Sequence, residues 1–184
     1  MKKVLTLLVV CVGILQVSAQ SETSATFDGR MNDIMLSPIE LIAAPALNVS
    51  YERLLSETSG IGINGLFYLG NDDDTYRFSQ ISPYYRMYFG KKYASGFFVE
   101  GFIPITLIKD DHYVYTGDYS APTWQEKSDT SVGIGIGFGG KWVARKNIVF
   151  EASAGIGRRF TSNDTEYDNG VITGKGMLGI GYRF

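Results

Sequence analysis

The sequence predicts an all-β fold: an eight-stranded antiparallel up-and-down transmembrane β-barrel behind an N-terminal signal peptide. Three observations lead there. Runs such as Val132-Gly133-Ile134-Gly135-Ile136-Gly137-Phe138-Gly139 alternate large apolar residues with glycine at a strict period of two. On a strand this places every bulky group on one face, whereas a helix would scatter those glycines at about 1 kcal/mol each. The opposite face of several strands carries glycine and a few charges of both signs, unlike the water-facing side of a soluble barrel. Finally, beyond the N-terminal stretch no segment reaches the roughly 18 consecutive apolar residues of a membrane helix, which leaves strands as the means of crossing a bilayer.

The chain has 184 residues, 17 Lys+Arg, 19 Asp+Glu, one His and one Cys. Lys2 and Lys3 precede an apolar stretch from Val4 to Val17, and Ser18 and Ala19 are small. Residues 1–19 therefore read as a signal peptide cleaved after Ala19, the alternative being a retained anchor or buried helix. Cys11 lies inside that stretch, so the exported chain would hold no cysteine and no disulfide. Without Lys2 and Lys3 the basic residues fall to 15, for a net charge of −4. That balance, with no basic run, excludes nucleic acid as a partner. Residues 20–31 are expected to form an N-terminal periplasmic segment and 32–184 the barrel.

Taken in order, strands are predicted at 32–42, 46–55, 60–70, 76–90, 95–108, 129–143, 147–160 and 171–184. Pro38 interrupts the first and reads as a bulge or an edge. In the third, Ile61, Ile63, Phe67 and Leu69 oppose Gly62, Asn64 and Tyr68. In the seventh, Ile148, Phe150, Ala152, Ala154 and Ile156 oppose Glu151, Ser153, Gly155 and Gly157. In the last, Ile172, Leu178, Ile180, Tyr182 and Phe184 oppose Thr173, Lys175, Gly179, Gly181 and Arg183. No helix and no second domain are expected after the signal peptide.

The connections alternate in kind. Ser56–Ser59, Gly90–Ala94 and Ala144–Asn147 are short turns. Asn71–Thr75, Lys109–Ser128 and Thr161–Gly170 are longer and acidic, while Ala43–Pro45 belongs to this second set by position but is short. An even strand number puts both termini on the short-turn side, the layout of short periplasmic turns and longer extracellular loops in bacterial outer-membrane barrels. Eight strands of roughly 9–11 residues fit the length and sixteen do not. Aromatic residues gather near strand ends, as at Tyr85, Phe89, Trp142 and Tyr182, where water–lipid boundaries would lie.

The terminal Gly179-Ile180-Gly181-Tyr182-Arg183-Phe184 resembles the closing strand of bacterial outer-membrane proteins. That resemblance implies that Ile180, Tyr182 and Phe184 form a C-terminal signal read by the barrel-assembly machinery. Asn48–Arg53 and Ile81–Phe89 are similar to a family of small outer-membrane β-barrel proteins defined by fold more than by activity, and the chain broadly resembles the eight-stranded OmpA/OmpX class. The implied location is the bacterial outer membrane, with its lipid as a partner.

Glu52, Arg86, Glu100, Lys141, Glu151, Lys175 and Arg183 share the less apolar face and are expected to meet in the lumen. A network of paired charges that fills the barrel is one reading, and a narrow pore or gate is the other. Tyr113, Tyr115, Tyr119 and Trp124, in the 109–128 segment, suit either an extracellular recognition loop or packing against the rim. No cofactor, metal site or catalytic site is expected. Gly135–Gly140 matches the dinucleotide spacing but lies inside a strand with no helix following. His112 beside Asp111 lacks a nearby serine. Asp72–Asp74 lacks the spacing of a calcium loop, and Asn163–Thr165 is a glycosylation sequon by pattern only. The alternatives to a structural or surface-interaction role are a soluble exported barrel holding an apolar ligand, a lipid-modifying enzyme, and a narrow channel.

Overall fold

The computed structural model describes residues 29–70, 76–114, 123–160 and 172–184. The expected signal peptide, Asp72–Asp74, Tyr115, Tyr119 and Asn163–Thr165 lie outside them. Nine strands are present: β1 (Asn32–Ser37), β2 (Ala46–Ser56), β3 (Ser59–Tyr68), β4 (Tyr76–Tyr88), β5 (Gly96–Phe102), β6 (Ile105–Val114), β7 (Thr123–Val143), β8 (Ile148–Phe160) and β9 (Ile172–Arg183). Each pairs antiparallel with its chain neighbour, except that β5 and β6 both lie between β4 and β7. Together β5 and β6 form one stave. β1 closes on β9 in the register Asp33↔Arg183 to Leu36↔Ile180, giving an eight-staved up-and-down barrel.

The break between β5 and β6 has a covalent cause. Pro104 offers no N–H, and Pro83 lies on the facing stretch of β4, so the ladder is interrupted there. The chain stays in place because Ile103 N–H donates to the Pro83 carbonyl at 3.0 Å and Gly133 N–H to that of Pro104 at 2.9 Å. The side-chain alternation runs through the break: Phe98, Glu100, Phe102, Pro104 and Thr106 all point inward and are buried.

Two expectations from sequence are corrected. The first strand ends at Ser37, and Pro38–Ala43 forms a one-and-a-half-turn helix, α1. Pro38 stands at the start of that helix, where its fixed φ is helical and its missing N–H is not needed. The segment 109–128 is largely a hairpin rather than a loop. β6 runs on to Val114 and β7 starts at Thr123, in the register His112↔Gln125, Tyr113↔Trp124 and Val114↔Thr123. Tyr, Val, Thr and Trp favour extended backbone, and that preference prevails over the polar composition around them.

The faces are inverted relative to a soluble barrel. Outward residues are apolar and exposed, with Ile134 at 61%, Ile136 at 70% and Phe138 at 61% on β7. Inward residues are buried and mostly polar. At the short-turn end the 89–95 turn folds under the opening. Its Ala94 is fully buried against Leu54, Tyr88 and Phe98, and Ala94 N–H donates to the Glu57 carbonyl at 2.8 Å. Met35, Val149 and Met177 form a second apolar cluster. Toward the long-loop end the filling is mostly neutral and polar, with Arg159 also buried on the inward face of β8: the Gln80 side chain bonds Ser82, Thr106 and Thr173, and Asn64 bonds Asn48.

Candidate functional site: a charge network in the lumen

Between the apolar floor and the neutral polar layer lies a group of charged side chains. Period-two alternation aims each of them inward, and strand register sets them at compatible heights: Arg86 pairs with Glu100 across β4–β5, Lys141 with Glu151 across β7–β8, and Arg183 with Asp33 across β9–β1.

Arg86 is the hub, with 1% of its surface exposed. Its Nε and Nη2 donate to Glu100 Oε2 at 3.1 and 2.7 Å. Nη1 donates to Glu52 Oε2 at 2.9 Å and Glu151 Oε2 at 2.8 Å, and Nη2 to Glu151 Oε1 at 3.0 Å. The guanidinium carbon sits 3.8 Å from the ring centre of Phe98 and 4.7 Å from that of Tyr84, so its planar faces are covered by aromatic rings.

The network continues on both sides of this hub. Lys141 Nζ donates to Glu52 Oε2 at 2.5 Å and Asp33 Oδ2 at 3.0 Å. Arg183 grips Asp33 with two bonds, Nε to Oδ1 at 2.7 Å and Nη2 to Oδ2 at 2.9 Å. It also donates to the carbonyls of Tyr93 at 2.9 Å and Ala94 at 3.0 Å, which ties the closing seam to the turn under the barrel. Lys175 bonds Glu100, and its Nζ stands 4.2 Å from the Tyr84 ring centre. Tyr88 donates to Glu52 Oε1 at 2.5 Å, and Ser153 to Glu151 Oε1 at 3.0 Å.

All seven charged residues singled out from sequence are therefore brought together. Sequence reasoning missed Asp33, which shares the inward face of β1 with Met35 and Ser37, and Tyr88, one alternation beyond Arg86. With Asp33 included, four carboxylates (Asp33, Glu52, Glu100, Glu151) meet four cations (Arg86, Lys141, Lys175, Arg183). Each carboxylate accepts from at least two side chains. Seven of the eight staves contribute, and the remaining one, β3, contributes space. A Cβ at Gly60 would collide with the Glu52 carboxylate, and one at Gly62 would stand 2.5 Å from the Tyr84 hydroxyl. Chemically the arrangement is charge-balanced and saturated with hydrogen bonds.

The other residues singled out from sequence lie elsewhere. Ile180, Tyr182 and Phe184 point outward, and Phe184 exchanges backbone hydrogen bonds with Asn32 at 2.8 and 3.0 Å. Tyr113 and Trp124 are opposed in the β6–β7 hairpin. Gly135–Gly140 lies within β7, and no helix opens from it.

No protein-family profile matches the chain, and no curated protein matches it. Among solved structures, the N-terminal β-barrel domain of Pseudomonas aeruginosa OprF shares 14% identity at a TM-score of 0.49, over 84% of this chain and 98% of that one. The outer membrane protein Ail of Yersinia pestis shares 16% at 0.48, over 84% and 99%. Neisserial surface protein A shares 12% at 0.43, over 83% and 93%. The fold assignment rests on the strand pairing and the two faces described above: this is an all-β, eight-staved antiparallel barrel of the outer-membrane type, apolar outside and polar within.

Proposed function

We propose that the protein is an integral protein of the bacterial outer membrane with a structural and surface-interaction role, its lumen sealed rather than conducting. The carrying observation is the charge network itself. An eight-stranded interior is just wide enough for its own side chains. Here four acids and four bases are buried and committed to one another above an apolar floor. A conduction path would have to part several of these pairs at once. The same commitment of each of these eight groups to a partner favours a non-catalytic role.

The apolar outer face supports lipid as the surrounding partner, since the exposed Ile, Phe and Tyr side chains would be costly in water. Short turns at one end and longer connections at the other support an orientation with the β6–β7 hairpin outside the cell. On this reading Tyr113, Tyr115, Tyr119 and Trp124 belong to the surface that meets an extracellular ligand. Ile180, Tyr182 and Phe184, aligned outward on the last strand, serve the barrel-assembly machinery.

Membrane fractionation with heat-modifiable gel mobility tests the location. The outer-membrane fraction should hold a band whose mobility shifts on boiling, and recovery in the soluble periplasmic fraction would overturn the proposal. Conductance in planar bilayers tests the seal. Purified protein should add no discrete steps, and a persistent open level would show that the network gates a pore.

A further inference from the structure

We propose that α1 is a membrane-interface foot, a six-residue helix at the long-loop rim whose apolar face enters the adjacent lipid leaflet beside β1 and β9. The inference rests on the reading that the barrel spans a bilayer, and goes beyond it by assigning a lipid contact to a connection rather than to a strand.

Helical geometry splits α1 into two faces. Ile39, Leu41 and Ile42 lie within a 160° arc, and Glu40 lies opposite. Glu40 is held over the mouth of the lumen, bonded to the Ser37 hydroxyl and accepting from Asn48 Nδ2 at 2.8 Å. Holding Glu40 inward turns the other face outward, and Ile42 is 84% exposed. Three large aliphatic side chains are thus displayed together on an element that buries none of its residues.

The place of this face identifies its occupant. α1 follows directly on β1, whose Ile34 and Leu36 point outward, and it packs against β2 and β9, the latter carrying outward Leu178 and Ile180. The helix therefore prolongs the apolar belt of the barrel at the rim. Charge agrees. The other three connections at this end carry Asp72–Asp74, Asp118, and Asp164 with Glu166 and Asp168, whereas Pro38–Pro45 holds only the inward Glu40. Interfacial helices bury such a face roughly 5–10 Å into the headgroup–acyl boundary. A helix this short would not hold to a membrane alone. The barrel supplies the anchoring and α1 the contact.

Depth-resolved spin labelling tests this. The full chain carrying Cys11→Ser and one labelled substitution, Ile42→Cys, is folded into phosphatidylcholine vesicles. Ile136→Cys on the belt and Arg145→Cys on a short turn serve as controls, and heat-modifiable mobility verifies the fold of each. The label at 42 should collide readily with oxygen, and its collision with a water-soluble nickel chelate should be several-fold lower than at 145, as at 136. Nickel accessibility matching position 145 would overturn the proposal while leaving the spanning barrel intact. Nickel accessibility at 136 as well would overturn the spanning reading itself. A label at 42 shielded from both reagents would mean that protein, not lipid, covers α1, and would also overturn the proposal.

Discussion

Removing the Arg86 guanidinium is the sharpest probe of what the lumen network does. Arg86→Ala deletes five bonds to three carboxylates and leaves a void between Phe98 and Tyr84. The survivors are poorly compensated. Glu52 keeps Lys141 and Tyr88, and Glu100 keeps Lys175, but Glu151 keeps only Ser153 and a Lys141 contact at 3.8 Å. The balance of the network shifts from four against four to four acids against three bases. Breaking a buried pair on one side typically costs about 3–5 kcal/mol. With a urea dependence of about 1–3 kcal/mol per molar, the unfolding midpoint should fall by more than about 1 M. Reversible urea titration in vesicles, followed by Trp fluorescence and the heat-modifiable band, reads it directly. The double variant Arg86→Met, Glu151→Gln separates charge from packing. It restores three against three and most of the volume, so it should recover most of the loss, as neutral replacement of whole buried ion pairs often does. An Arg86→Ala midpoint equal to the parent's, or a double variant weaker than Arg86→Ala, would refute the reasoning.

Arg183→Ala removes four bonds from the closing seam and the floor turn, including two to Asp33. Amide exchange at Asn32, Phe184 and Ala94 should then rise by about tenfold or more, since charged hydrogen bonds are worth roughly 1.5–3 kcal/mol each. Exchange in the middle of β3 should change least. On β9 two glycines should answer oppositely to Ala. At Gly181 a Cβ would run into the Ile34 carbonyl and the Met35 sulfur, whereas at Gly174 the nearest atom is 3.8 Å away. Gly181→Ala should lower the thermal unfolding temperature in detergent, and Gly174→Ala should leave it unchanged or raise it by the worth of about 0.5–1 kcal/mol. The ends of the β6–β7 hairpin, Asp111–Val114 and Thr123–Glu126, pair only with each other among the described residues. Replacing Tyr113 and Trp124 by Ala should therefore shift barrel stability by no more than about 0.5 kcal/mol in the same titration, while any cell-surface binding carried by the hairpin should fall.

Much of this is legible in the sequence because barrel strands obey one simple rule. Period two assigned Glu52, Arg86, Glu100, Lys141, Glu151, Lys175 and Arg183 to one face, and every one of them lies in the lumen. Which acid meets which base is not legible, since it depends on strand tilt and register summed round the barrel. Asp33 was hidden for a different reason. Pro38 blurs the alternation of the first strand and with it the strand's inward face. Within that group of seven, three acids stand against four bases, which points to a further acid among them, since burial of an unpaired cation is costly. The helix α1 was lost to the same proline, read as a strand defect when it is a helix start. The hairpin between Lys109 and Ser128 reads as a loop from its polar composition, and only the β-forming Tyr, Val, Thr and Trp within it point to strands.

Inside-out construction explains why the conspicuous energetics lie in the lumen. In lipid, burying an apolar side chain against another gains little over leaving it among acyl chains, so in the proposed membrane setting the outer face would specify the barrel's surroundings more than its register. Register must come from groups that cannot be satisfied any other way. A carboxylate such as Asp33 has two partners at the height of Arg183 and Lys141, and a slip of one residue along β9 would turn Arg183 onto the apolar outer face. The seam between β1 and β9 joins the two ends of the described barrel, so it is the pairing of greatest sequence separation and carries the largest loop-closure cost. Placing the two-bond Asp33–Arg183 contact at that seam, with a further grip on the Tyr93 and Ala94 carbonyls, ties correct closure to the placement of the floor turn.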